Sequence, residues 1–347
     1  MHPPNLAALL VLVAAALAAA ALSSVLVRRM IGLAVMDVPG ARSAHDRPTP
    51  RGGGVGMVAA VLLGVPACLV LLPGGPGRLL PAALLLGATA LLAAVSWLDD
   101  LRQFGVRAKL GAQCAASALT VAASLASAPV WPAFWLLAPL CLLGFCWLML
   151  TTNALKFIDG LNGLASGVAA ICGVFACLLG LALGDPLLAA CGAMLSAGLL
   201  GFLPYNMPRA RIFMGDVGSQ VCGLLTGGFA LLLLADTARL AVAEAILLIL
   251  AGILWDVLFT LARRLRAGER ITQAHRGHLY QVAARSGLSH GKVAVIHWAF
   301  ALWGGAISLA LLPARPVIAA MIVLLPQLSW SATVWLRARR AGLSRWS

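Results

Sequence analysis

Eleven apolar stretches, most of them close to 20 residues long, dominate this 347-residue chain and leave it few ways to fold. A helix crosses the hydrocarbon core of a bilayer in about 20 residues. Backbone surrounded by lipid must satisfy its own polar groups, which a helix does internally. The stretches predict spans at 6–27, 52–72, 79–98, 110–128, 133–151, 163–183, 187–206, 217–235, 240–262, 292–312 and 316–336. With 62% apolar and 10% charged residues, the expected fold is an all-α polytopic membrane protein of about 11 transmembrane helices, one integral-membrane domain over 1–347. The first stretch is alanine-rich before its end, as a signal peptide can be. It lacks a basic leader and is followed by Arg28 and Arg29, so it reads as a retained span. All eight cysteines fall inside apolar stretches without metal or redox spacing, which predicts a packing role.

Span parity orients the chain. Segments 28–51, 99–109, 152–162, 207–216, 263–291 and the tail 337–347 share one face. Segments 73–78, 129–132, 184–186, 236–239 and 313–315 share the other. That second face carries three basic residues, Arg78, Arg239 and Arg315, and the other 22 of the 25 lysines and arginines lie on or beside the first. Basic loops stay in the cytoplasm, so the first face is expected inside, the N-terminus outside and the C-terminus cytoplasmic. The net charge of +14 then reflects topology and attraction to anionic headgroups. It calls for no nucleic-acid partner.

Acidic residues number only 11, and five of them, Asp99, Asp100, Asp159, Asp216 and Asp256, lie in or beside apolar stretches. A charge near the bilayer centre costs about 3 kcal/mol or more, so such positions point to function. Asp99 and Asp100, closing the third span, could bind a hard cation or accept a proton, or form a helix-end pair balanced by Arg102. Asp216, between Gly215 and Gly218, opens a span whose free N–H groups favour anions; an ordinary N-cap is the plainer alternative. Asn153, Lys156, Asp159 and Asn162 crowd a membrane boundary, where amides could read a nucleobase edge. Turn chemistry accounts for the glycines and Asn162 there, but not for Lys156 and Asp159. His275, Arg276 and His278 follow Arg263, Arg264, Arg266 and Arg270 in the longest loop, a set suited to phosphate oxygens or to lipid headgroups. The stretch Pro48 to Gly54, which contains Arg51 and follows His45, could cradle phosphate through backbone N–H groups.

All of these clusters fall on the face expected to be cytoplasmic. A channel or transporter would need polar groups at mid-membrane and usually on both sides. One-sided chemistry suits an enzyme that joins a cytosolic substrate to a lipid-resident one. The combination suggests metal-assisted phosphoryl chemistry on a nucleotide substrate.

From about Asp37 to Gln281 the five motifs, in order, resemble the polyprenyl-phosphate N-acetylhexosamine-1-phosphate transferase superfamily. It includes the undecaprenyl-phosphate GlcNAc-1-phosphate transferases and the phospho-MurNAc-pentapeptide translocase. The run His275-Arg276-Gly277-His278-Leu279-Tyr280-Gln281 is similar to the branch that starts O-antigen and related surface glycans of the lipopolysaccharide type. The resemblance implies transfer of a sugar 1-phosphate from a UDP-sugar to undecaprenyl phosphate, with release of UMP. It also implies Mg²⁺, with Mn²⁺ as a substitute, and a multi-pass protein of the bacterial inner membrane with a cytoplasmic active site. By motif, Asp99 would deprotonate the lipid phosphate and Asp100 would support it or the metal. Asp216 would hold Mg²⁺, with Asn153 as a further ligand. Phe213 would stack on uracil, Asn162 would contact its edge, and His275, Arg276 and His278 would hold phosphates or sugar. Asp159, Lys156, His45 and Arg51 complete the expected substrate-binding set. The sugar (GlcNAc, FucNAc or QuiNAc), a covalent two-step course through an Asp nucleophile, and a homodimer all stay open.

One departure stands out. The family's Asn-x-x-Asn reads Asn153-Ala154-Leu155-Lys156, and a charged lysine cannot ligate Mg²⁺. Lys156 is expected to point at phosphate oxygens rather than at the metal, or Asn153 and water to complete the metal shell. A transporter and a catalytically silent scaffold for glycan assembly are the alternative classes.

Overall fold

The computed structural model describes residues 6–37, 47–130, 133–237, 240–270, 273, 275–311 and 314–343. His45 lies outside the described residues. Among them the helices are α1 (Leu6–Leu33), α2 (Gly54–Leu71), α3 (Leu79–Arg102), α4 (Val106–Ser127), α5 (Phe134–Ile158), α6 (Leu164–Leu183), α7 (Pro186–Asn206), α8 (Gly215–Thr237), α9 (Leu240–Ile249), α10 (Ala251–Arg266), α11 (Leu279–Arg285), α12 (His290–Leu311) and α13 (Pro316–Arg340). Ten are long and apolar enough to cross a membrane. The predicted straight span at 240–262 is instead a broken one, α9 and α10 meeting at a bend of 66°, which counts as the eleventh.

Several helices outrun the lipid-length stretches that predict them. α3 continues to Arg102 and α5 to Ile158. Asp99, Asp100, Asn153 and Lys156 therefore stand on the last turns of helices, where the sequence reading has loops. α3 stops where Gln103 turns into the left-handed region at φ 53° and Asp99 Oδ1 accepts the Phe104 N–H at 2.7 Å. α7 starts at Asp185, whose carboxylate accepts the N–H groups of Leu187 and Leu188 at 2.9 and 3.3 Å ahead of a first-turn proline.

The interior is built around α6, α7 and α8. α7 packs on α1, α2 and α6, and α8 on α3, α4 and α5. Lipid gives two helices no hydrophobic reason to associate, so close approach through small residues carries the packing. α2 and α8 show this: a Cβ on Gly54 would lie 2.3 Å from the Gly218 Cα. Large side chains such as Leu63, Val70, Leu142 and Leu143 point outward and are exposed, as a lipid-facing surface requires. All eight cysteines are free thiols.

The two ends of the bundle are tied differently. Where α3 begins, Arg78 donates to the Ser127 carbonyl at 3.0 Å, pairs with Asp185 at 3.7 Å and contacts Asp236 directly. Where α3 ends, strand β1 (Met36–Asp37) pairs antiparallel with β2 (Thr49–Pro50). The Pro50 carbonyl accepts the Phe213 N–H at 2.8 Å, and Gly53 and Gly54 donate to the Phe213 and Met214 carbonyls at 2.9 Å. The N–H groups of Gly53 and Gly54, expected to cradle phosphate, are thus spent on gripping the segment that leads into α8.

Candidate active site

A cavity of about 830 Å³ opens at the end of the bundle where α3 and α5 finish and α8 starts. All five segments expected on one face contribute to its wall, among them Asp37 and Arg51, Asp100, Lys156 and Asp159, Phe213 and Asp216, and His275 and His278. Of the expected site residues it gathers Arg51, Asp100, Lys156, Asp159, Asn162, Phe213, Asp216, His275 and His278.

Two carboxylates define its floor. Asp100 Oδ1 pairs with Arg51 Nη1 at 3.2 Å, and the same guanidinium also donates to the Asp100 carbonyl. Asp100 is 7% exposed, and its Oδ2 is buried without a hydrogen-bond partner. That oxygen faces Gly215, where a Cβ would come within 3.1 Å of it. Gly215 holds φ at +75°, a conformation that suits glycine and turns the chain into α8 so that Asp216 occupies its first turn. Asp216 Oδ2 pairs with Lys156 Nζ at 2.7 Å. The lysine therefore contacts the carboxylate expected to hold metal, rather than standing apart from it. At the foot of α5, Asp159 is pushed well above the usual carboxylate range, first by burial and then by the charge of Asp216.

The histidine loop is hung from α10. Asp256, Thr260 and Arg264 recur every fourth residue, which puts them on one stripe of that helix. Asp256 is 1% exposed and accepts the Leu279 and Tyr280 N–H groups at 3.0 and 2.8 Å, with His278 Nδ1 at 3.0 Å. Arg264 donates to the Arg270 and Gln273 carbonyls at 2.6 and 2.8 Å. Tyr280 Oη reaches the Phe157 carbonyl at 2.8 Å, joining the loop to α5. A carboxylate at Nδ1 puts the His278 proton there and leaves Nε2 for a ligand. His275 stacks on His278 with ring centroids 4.9 Å apart, and its Nδ1 accepts the Gly277 N–H at 3.1 Å. Its pKa is pushed down to about 4 by burial, with His278, Arg264 and Arg263 adding repulsion against a smaller opposing pull from Glu269. At neutral pH this imidazole is uncharged and carries its proton on Nε2, as a donor.

Three expected residues are placed elsewhere. Asp99, one residue from Asp100 and so about 100° around the helix, pairs with Lys109 at 2.7 Å and is absent from the cavity wall. Asn153 donates to the Met149 carbonyl at 2.8 Å and exchanges longer contacts with Gln113, itself bonded to Gln220 at 2.7 Å. It is thus held in an amide cluster and is not among the residues of the cavity wall. Arg276 is likewise off the wall, its carbonyl accepting from Arg285 at 3.2 Å. Sequence reasoning passed over Asn206, whose side chain accepts from Gly163 N at 2.6 Å and donates to the Ile212 carbonyl at 2.9 Å, binding two cavity segments together. Asp256 was signalled only as a scarce acid in an apolar stretch.

The donor set fits a hard divalent cation. Such an ion is commonly held by one or two carboxylates together with substrate phosphates. Here the unpartnered Asp100 Oδ2 and the Asp216 carboxylate could supply those oxygens, and the Lys156 ammonium already stands as a cation beside Asp216.

Known proteins are similar to this chain in sequence. The model of glycosyl transferase family 4 matches residues 82–234. A probable undecaprenyl-phosphate N-acetylglucosaminyl 1-phosphate transferase of Bacillus subtilis is 30% identical over 271 residues, 76% of this chain and 73% of that protein. A decaprenyl-phosphate N-acetylglucosaminephosphotransferase of Mycolicibacterium smegmatis is 30% identical over 78% of this chain and 73% of its own length. A phospho-N-acetylmuramoyl-pentapeptide-transferase of a Synechococcus strain is 32% identical over 76% and 77% respectively. The chain belongs to glycosyl transferase family 4, the superfamily of polyprenyl-phosphate hexosamine-1-phosphate transferases.

Proposed function

We propose that this protein transfers an N-acetylhexosamine 1-phosphate from a UDP-sugar to undecaprenyl phosphate at the cytoplasmic face of a bacterial inner membrane. Family membership carries the coarser statement, transfer of a hexosamine 1-phosphate to a polyprenyl phosphate. The observation that most supports the finer reading is one cavity holding Asp100 and Asp216 with Arg51, Lys156 and two histidines, where three spans end or begin. In the reaction an oxygen of the lipid phosphate attacks the sugar-bearing phosphorus. The bond to the bridging oxygen breaks, UMP leaves, and a lipid diphosphate sugar remains to start a surface glycan such as O-antigen.

Phosphoryl transfer asks the protein mainly to position groups and balance charge. A phosphate monoester loses its second proton near pH 6, so the acceptor is largely dianionic at pH 7 and needs little help from a base. That removes the need for Asp99 at the reacting atoms. Asp100 and Asp216 would hold Mg²⁺, or Mn²⁺ in its place; when bound, the ion draws charge from the diphosphate and steadies the leaving UMP. Arg51 keeps Asp100 aimed. His278 and the Nε2–H of His275 face phosphate or sugar oxygens, Phe213 offers a face for uracil, and Asn162 an amide for its edge. Full-length protein with undecaprenyl phosphate, Mg²⁺ and a panel of UDP-sugars should release UMP with one N-acetylhexosamine donor well above the rest. No UMP from any UDP-sugar would contradict the donor class.

A further inference from the structure

Among the described residues, Lys156 is the one lysine that lines the cavity. Its ammonium lies 2.7 Å from Asp216 Oδ2, with both side chains about a quarter exposed, at 28% and 24%. The other carboxylate is arranged differently. Asp100 is held on one oxygen by Arg51, whose guanidinium is itself tied to the Asp100 carbonyl, and its second oxygen is buried and bare. So one carboxylate is aimed with an oxygen to spare, and the other is closed by a cation on a flexible four-carbon stem.

The difference between the two cations matters. A guanidinium in a two-point contact stays put, whereas an ammonium is a point charge that can exchange one partner for another by rotating its stem. A lysine and a divalent cation at the same carboxylate repel, and only added negative charge makes both tolerable. A diphosphate brings that charge. Before it arrives, Arg51 balances Asp100 and the ammonium of Lys156 balances Asp216, so the cavity does not repel the incoming anion.

We propose that Lys156 is a tethered counter-ion, which closes Asp216 to divalent cations until a nucleotide diphosphate binds and then moves its ammonium to a phosphate oxygen. The inference rests on the donor reading given above. It adds an order to the events: metal is admitted with the nucleotide, and the empty cavity stays poor in metal. Lys156 is on this account a substrate-contacting cation only once it has left Asp216.

The test is a titration of Mn²⁺, followed by its free-ion electron paramagnetic resonance signal, on the purified full-length protein with and without UDP. The parent should bind Mn²⁺ at least about tenfold more tightly when UDP is present, a coupling of ordinary size. Lys156→Met should bind Mn²⁺ without UDP at least about tenfold more tightly than the parent. Lys156→Arg, which keeps the charge, should resemble the parent. The parent arm needs no variant, so a poorly folding substitution does not remove the test. Equal Mn²⁺ affinity of the parent with and without UDP, or of parent and Lys156→Met without UDP, would overturn the counter-ion role and leave the donor reading standing. Failure of every protein to bind Mn²⁺ even with UDP would instead bring down the metal part of that reading, and this inference with it.

Discussion

Adjacent aspartates at the foot of α3 do different work because a helix separates consecutive side chains by about 100°. Asp100 faces the cavity, while Asp99 joins Lys109 and the Phe104 N–H at the α3–α4 turn. Asp100→Asn and Asp216→Asn should each lower turnover by about 10²-fold or more, the scale of losing a group that acts on developing charge. Asp99→Asn should cost less than about tenfold and should instead lower the melting temperature, since it weakens a half-buried pair and the bond to the Phe104 N–H. Steady-state UMP release with a thermal melt separates the two effects; an Asp99→Asn defect as deep as that of Asp100→Asn would return Asp99 to the reaction. The sequence marks both residues as scarce acids at a membrane boundary but says nothing of which side of the helix meets the cavity. Asn153 illustrates the same limit. It stands one turn, about 4.5 Å along the axis, from Lys156, and that is enough to bond it to Gln113 and the Met149 carbonyl instead of placing it on the cavity wall.

At the scale of elements, α10 acts as a mast for the histidine loop. Asp256→Asn keeps the size but offers one acceptor oxygen and two donors where four donors converge, Thr260 Oγ1 among them. It should reduce turnover by about 10- to 100-fold, the usual cost of losing an orienting partner, with a raised KM for the UDP-sugar. A variant with unchanged kcat and KM would show that His278 does not need the carboxylate. The loop also carries a pH response. His275 falls from its ordinary 6.5 to about 4 in the folded protein, so protonation favours the loosened loop. Its contribution to order is whole above about pH 6.5 and is lost as pH drops towards 4. Hydrogen exchange at amides 277–281 should therefore quicken across that window, and His275→Gln should abolish the change. This device was not legible beforehand, because it depends on the bend between α9 and α10. No proline announces that bend, and a straight apolar stretch predicts a straight span.

For the whole molecule, the spans were legible because a bilayer demands long apolar stretches, and the cavity because polar residues are rare enough to stand out. What sequence could not supply is depth and facing. The end of the bundle away from the cavity is clamped by Arg78 with Asp185, Asp236 and the Ser127 carbonyl. Arg78→Ala leaves the buried Asp185 short of its counter-charge and should cost about 3 kcal/mol of stability, seen as a drop of several degrees in the thermal melt with UMP turnover at 25 °C near that of the parent. Orientation is open to a second measurement. Ser289, exposed beyond α11, should react as Ser289→Cys with a membrane-impermeant maleimide only in inside-out vesicles, and Gly77→Cys, also exposed, only in intact cells; the reverse pattern would put the cavity on the wrong face for a cytosolic donor.

The central claim is that the cavity moves one phosphate, with its sugar, from nucleotide to lipid. The most direct measurement follows a UDP-sugar labelled in the sugar-bearing phosphate, with purified protein and undecaprenyl phosphate. The label should pass into the organic phase with one unlabelled UMP released for each lipid product, and Asp216→Asn should lose that transfer by about 10²-fold. Label remaining in the water-soluble fraction, or passing into lipid equally well with Asp216→Asn, would contradict the account.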